Sequence, residues 1–288
     1  AAKPRPKALK HRNLLARYRL GNKDSAKDIE TAREALRNNP DSPEALNLLG
    51  ATQLAANDTK GAIETFRQLT QKTPNAADAQ LKLGVALATG KLITEARAAF
   101  TRSLEIKPDF GPAMDALLKL ELQEKNPESA LKWAKKIQGV VPQSPVGHDR
   151  EGDIHMSQKR YSDAAKAYQT ALGKQASAQG LLKLHSALVR AGDEKSAQAK
   201  LDQWLKSKPQ DIAVRAYAAG QAMRLGQENL AISHYETILR QKPDEAMALN
   251  NLANLYHTRN DPRALGTAEK AYRALPDHPA IQDTYGWL

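Results

Sequence analysis

The sequence predicts an all-α protein built as a solenoid of repeated helix pairs. Three observations carry that expectation: a composition without strand signals, one period shared by three residue series, and two helix-spaced apolar stretches inside every period. The chain has 288 residues and only three phenylalanines. Ala and Leu dominate, Val and Ile are sparse, and no stretch alternates apolar and polar residues as a half-buried strand would.

The period is read from residues of different chemistry. Prolines stand at 40, 74, 108 and 142, then at 209, 243 and 276, with Ala176 close to the missing place. Alanines stand at 62, 96, 130, 164, 197, 231 and 264. A third series is Gly50, Gly84, Gly152, Ala219, Ala253 and Gly286, with Leu118 and His185 in its two remaining places. All three recur every 33 or 34 residues, or twice that across the missing proline. Self-similarity at that interval is the mark of a repeat architecture.

Each unit reads as two helices. In the second unit, Pro43-Glu44-Ala45-Leu46 opens the first helix and Asn57-Asp58 breaks it. Ala62, Ile63, Phe66 and Leu69 carry the second, and Pro74 ends it, because proline has no N–H and clashes with the preceding turn. Small residues at the eighth and twentieth places let the two helices touch. The residue four places after the Ala (Phe66, Phe100, Tyr168, Leu201, Tyr235) fills the gap. The expected units are 9–42, 43–76, 77–110, 111–144, 145–177, 178–211, 212–245 and 246–278, forming one solenoid over 9–288 after a basic segment at 1–8. The first unit is degenerate, with Asp28 in place of the Ala. Residues 279–288 read as the opening turns of a ninth unit, so the natural protein is expected to continue past Leu288. The start at Ala1 reads in the same way as a cut.

Composition excludes several functions. There is no cysteine, hence no disulfide, zinc thiolate or cysteine nucleophile. No run of about 18 apolar residues is present to span a membrane. The net charge is +11, but residues 1–27 hold nine Lys and Arg against Asp24 alone, leaving only +3 for the other 261. A nucleic-acid binder would spread its basic stripe along the binding face, so nucleic acid is not the expected partner. The basic start could attract anionic lipid, lipopolysaccharide or nucleic acid; the plainer reading is a solvated helix end or a linker from upstream repeats, with Asn22, Asp24 or Ser25 capping the helix that follows.

A 34-residue helix–turn–helix with this Gly/Ala, Ala and Pro spacing resembles the tetratricopeptide repeat (TPR), over nearly the whole chain. The resemblance implies a right-handed superhelical solenoid of about eight repeats plus a truncated ninth, with the first helices lining a concave groove. A closer resemblance lies in the last third: Ala248-Leu249-Asn250-Asn251-Leu252-Ala253-Asn254-Leu255-Tyr256, Asp261-Pro262-Arg263-Ala264-Leu265, Ala268-Glu269-Lys270-Ala271-Tyr272, and Pro276 through Trp287-Leu288. With Gly180-Leu181-Leu182-Lys183-Leu184-His185, Arg190-Ala191-Gly192 and Leu201-Asp202-Gln203-Trp204-Leu205, this is similar to the PrsT-type TPR lipoproteins associated with the PEP-CTERM/exosortase system of Gram-negative bacteria. That resemblance implies a periplasmic, outer-membrane-associated protein serving exopolysaccharide production and surface-protein sorting. Any membrane attachment would be a lipid anchor outside these residues. It implies no catalytic residues and no cofactor; a cytoplasmic location is the alternative.

Most candidate chemistry dissolves into the repeat. His148 and His155, seven apart on one helix with Asp149 and Asp153 near, are the one conceivable metal pair, against ordinary surface and packing positions. No nucleophile motif and no glycine-rich phosphate loop exists. Trp133 and Trp204 read as core. Resemblance to other TPR proteins places the groove lining at the second, fifth, ninth, twelfth and thirteenth positions of each unit. That register brings Asp115, Asp149 and Asp153 into an acidic patch with Lys119 at its edge. It sets Arg190 and Arg224 as a basic pair beside Tyr217, with Asn250, Asn254 and His257 beyond. A groove that changes sign along its length suits an extended polypeptide. The Lys/Asn/Arg set of chaperone-binding TPRs occurs in no three consecutive units here.

The expected function is therefore a non-catalytic protein–protein interaction scaffold in an envelope exopolysaccharide and protein-sorting apparatus, with its machinery proteins as partners. The alternatives are direct polysaccharide or polyanion binding, or the interaction part of a larger enzyme.

Overall fold

The computed structural model describes residues 25–288, and these form sixteen helices without a strand. They divide between Lys159 and Arg160 into two compact units. The first holds α1 (Ser25–Asn38), α2 (Pro43–Ala55), α3 (Thr59–Lys72), α4 (Ala77–Thr89), α5 (Ile93–Ile106), α6 (Gly111–Gln123), α7 (Pro127–Val140) and α8 (Val146–Ser157). The second holds α9 (Tyr161–Lys174), α10 (Ala178–Arg190), α11 (Glu194–Ser207), α12 (Ile212–Arg224), α13 (Glu228–Gln241), α14 (Ala246–Thr258), α15 (Arg263–Ala274) and α16 (Pro279–Trp287). The boundary falls inside the expected unit 145–177. The expected basic segment 1–8, the rest of the basic start up to Asp24, and the first helix of unit 9–42 lie outside the described residues.

Local chemistry sets where each helix begins. Ser42, Asp58, Ser177, Asp193, Asp211 and Glu245 each accept a hydrogen bond from the backbone N–H three residues on, satisfying a donor the first turn leaves without a partner. Pro43, Pro112, Pro127 and Pro279 occupy first-turn positions, where a missing N–H costs nothing.

The turn between the two helices of a unit has its own period. Asn57, Lys91, Lys125, Lys159, Gly192, Gly226 and Asn260 all have φ between 54° and 81°. This left-handed residue sits in a connection of three residues, four around Asn260, and only two of the seven are glycine.

The core confirms the packing logic of the repeat. Ala62, Ala96, Ala130 and Ala231 have no exposed surface, because each is where a second helix presses on its first. In the first unit the core runs through Leu87, Phe100, Met114, Leu117, Leu118, Leu120, Ile137 and Ile154. In the second it runs through Leu181, Leu201, Trp204 and Val214, then Tyr235, Ile238, Leu252, Leu255 and Tyr256. Trp204 is buried as expected, its indole N–H donating to Asp211 at 2.8 Å. Trp133 is half-buried against the first unit's core. Asp28, at the degenerate alanine place, is buried in the first turn of α1, where the helix dipole favours a carboxylate.

First helices of successive repeats also touch one another directly: α4 with α6, α10 with α12, and α14 with α16. These contacts make the rows on which the candidate sites sit. Among the described residues no helix is long and apolar enough to cross a membrane.

Candidate functional site

In the first unit, α4 and α6 leave a cavity of about 480 Å³ between them. Leu81, Val85, Ala88 and Thr89 line it from α4, and Pro112, Asp115, Ala116, Lys119, Leu120 and Gln123 from α6, with Phe100 behind. These include the fifth, ninth, twelfth and thirteenth places of one repeat and the second, fifth, ninth and thirteenth of the next. The floor is apolar, and Val85 is 41% exposed there.

The rim is charged but internally matched. Arg150, from α8, donates through Nε to Asp115 Oδ1 at 2.6 Å and through Nη2 to Oδ2 at 3.3 Å. Lys119 Nζ lies 2.9 Å from Asp115 Oδ2. Burial alone would raise the Asp115 carboxyl; the hydrogen bonds from Arg150 and Lys119 outweigh it and hold the group below its ordinary range. Arg150 also reaches Asp153 at 3.7 Å and feels the charge of Asp149. The acidic patch expected from Asp115, Asp149 and Asp153 is thus threaded by an arginine that register reasoning passed over. The signal was present in the spacing, since Arg150 stands 35 residues after Asp115, one repeat and one residue on.

The histidine pair is placed differently from a metal site. His148 Nδ1 lies 3.7 Å and His155 Nε2 3.9 Å from Glu151, a residue the sequence did not single out. Glu151 also accepts from Gln138 at 2.8 Å. Among the described residues no group of three or more His, Asp or Glu side chains is arranged to hold a metal ion.

In the second unit, Tyr217 and His185 come together across α12 and α10. The Tyr217 hydroxyl lies 2.9 Å from His185 Nδ1, and the rings meet edge to face with centroids 5.2 Å apart. His185 is buried, and burial followed by the Arg224 charge lowers its pKa. Arg224 itself is exposed and donates to Gln221 Oε1 at 3.1 Å. Arg190 goes elsewhere, its guanidinium 5.8 Å from the ring centroid of Tyr161. The two arginines expected as a pair therefore engage different partners. Further on, Asn250 is buried, with its side-chain oxygen unpartnered, whereas Asn254 and His257 are exposed. Asn254 donates to the Thr284 hydroxyl at 3.2 Å.

Comparison with known proteins agrees with this architecture. The tetratricopeptide repeat model matches residues 13–76, 47–109, 150–212 and 216–279. The chain belongs to the tetratricopeptide repeat family. No curated protein is detectably similar to the sequence. Among solved structures, the chain is similar to PilW, a widely conserved type IV pilus biogenesis factor, at 18% identity and a TM-score of 0.55, over 72% of this chain and 96% of that one. It is similar to pilF of Pseudomonas aeruginosa at 19% identity and a TM-score of 0.54, over 74% of this chain and 98% of that one. It also matches the APC/C hetero-tetramer Cut9-Hcn1 at 17% identity and a TM-score of 0.47, over 94% of this chain, which spans about half (54%) of that one. At these identities the likeness to PilW and pilF shows the fold alone.

Proposed function

We propose that the chain is a non-catalytic scaffold that holds an extended polypeptide along its first helices. The observation that carries this reading is the cavity between α4 and α6: an apolar floor with exposed Val85, bounded by Asp115 and Lys119, on the row where successive first helices meet. An apolar side chain of a bound segment enters it, and the rim polar groups meet the segment's backbone. This is the anchor-and-rim organisation of a protein interface. The test is capture of the protein with its partners from cells of origin, wild type against Val85→Trp. The exposed position tolerates the change, and the indole fills the cavity. The reading requires partners that the variant loses; identical capture by both proteins contradicts it.

The proposal extends to place. The likeness of residues 248–288 and 180–205 to PrsT-type lipoproteins supports a role on the periplasmic face of the outer membrane, holding components of an exopolysaccharide and PEP-CTERM protein-sorting apparatus. Radiolabelled palmitate fed to cells expressing the full-length tagged protein tests it. A labelled outer-membrane band is expected; an unlabelled cytosolic band contradicts the envelope assignment and leaves the scaffold reading intact.

A further inference from the structure

We infer that the cavity bounded by α10, α11 and α12 binds the carboxylate of an acidic side chain on the polypeptide that this scaffold holds. The inference rests on the scaffold reading and names the chemistry of one part of the bound segment. The cavity encloses about 220 Å³, below the roughly 300–1,000 Å³ of small-molecule sites. It is sized for one side chain.

Its inner wall is His185, 3% exposed. Tyr217 holds the ring, its hydroxyl 2.9 Å from Nδ1. Where the Tyr217 hydroxyl donates in this bond, the neutral ring carries its proton on Nε2 and is an N–H donor there. Burial and the nearby Arg224 charge disfavour protonation of this histidine, so the uncharged tautomer is the resting form.

The outer wall is cationic. Arg224 and Lys195 both line the cavity, against the single acid Glu194. The hydrogen-bond partner of Arg224 is the neutral amide of Gln221, and no carboxylate pairs with it among the described residues. Asp193, next to Glu194, is turned to the α11 N-terminus, where it accepts from the Ser196 N–H. A guanidinium without a counter-ion, lining one cavity with a buried imidazole, is matched by a carboxylate that Arg224 holds in bidentate fashion. Val189, Ala197 and Leu225 supply the apolar contact for the methylenes that carry it.

The test follows the His185 ring resonances by NMR in the intact chain. The probes are an N- and C-blocked heptapeptide with one central Glu among alanines, its Gln counterpart, and free glutarate. The Glu peptide is expected to give a saturable shift at His185 and the Gln peptide none. Arg224→Gln, an exposed change that leaves the core untouched, is expected to weaken the Glu peptide about tenfold or more, the scale of a charge-assisted hydrogen bond. An unmoved His185, equal shifts with both peptides, or undiminished affinity in the variant overturns the inference. Saturation by glutarate with no response to the Glu peptide also overturns it, since the site would then take a free carboxylate. If Arg224→Gln keeps the partners that Val85→Trp loses while the His185 shift is absent in wild type, the carboxylate site fails and the scaffold stands.

Discussion

Gly50 lies directly under the ring of Phe66: a methyl group added at Gly50 would meet Phe66 Cε1 at 2.6 Å. Gly84 and Phe100 repeat the relationship one period later. The eighth place of the first helix and the aromatic of the second are thus complementary shapes, and the ring is itself buried on its other sides.

Gly50→Ala sets two effects against each other. Alanine gains up to about 1 kcal/mol in helix propensity, whereas forcing a methyl into a filled core costs about 1–3 kcal/mol. With Phe66 only 1% exposed, the ring cannot retreat and overpacking wins. Gly139 and Gly173, also helical, have nothing within 4 Å of an added Cβ. Alanine there is expected to stabilise by about 0.5–1 kcal/mol. Urea denaturation of the three variants reads the opposite signs.

The left-handed turn residues allow a second comparison. Lys91 holds φ 62° and Gly192 holds φ 81° at equivalent places. Lys91→Gly is expected to raise stability by up to about 1 kcal/mol as the Cβ strain is removed, and Gly192→Ala to lower it by about 1–2 kcal/mol. Equal effects of one sign in thermal melts would show that backbone strain does not govern these turns.

Arg150 and Asp115 make the next prediction. The carboxyl is held below its ordinary value of 3.8, so its contribution is complete above that pH and is lost as pH falls through the folded-state value. Arg150→Met should cost about 1–2 kcal/mol at neutral pH and remove that part of the acid dependence. Urea midpoints at pH 7 and at pH 2–3 for both proteins measure it.

His185 and His234 carry pKa values lowered from 6.5, His185 by burial and then Arg224, His234 by burial and then Arg215, partly opposed by Asp202. A depressed base leaves the unfolded chain binding more protons between the folded value and about 6.5. Stability is therefore complete above pH 6.5 and falls as pH drops below it. Melting temperatures between pH 7.5 and 5 should decline, less steeply for His234→Gln; a flat profile would contradict the assignment.

Much of the fold was legible because it repeats. The alanines at the twentieth place and the aromatics four residues later are buried where the spacing put them, since a period samples the same contact many times. What happens once was not legible. His185 occupies a place held elsewhere by Gly, Ala or, once, Leu118, and remains buried with Tyr217 reaching its Nδ1 from the next repeat. Arg150 neutralises Asp115 through a side chain on the neighbouring first helix. Register placed Asp115, Lys119, Arg224 and Tyr217 on first helices, but their partners depend on rotamers, which spacing does not set. The same limit applies to Asn250, nominally a lining residue, whose side chain is buried.

The most direct test of the scaffold reading is photo-crosslinking. Benzoylphenylalanine would be introduced at Val85, in the cavity between α4 and α6, and separately at Lys132, exposed on α7. After irradiation in cells of origin, discrete protein adducts from position 85 and none from position 132 are the predicted result. Adducts absent at 85, or the same from both positions, would contradict the claim that the first helices hold a polypeptide.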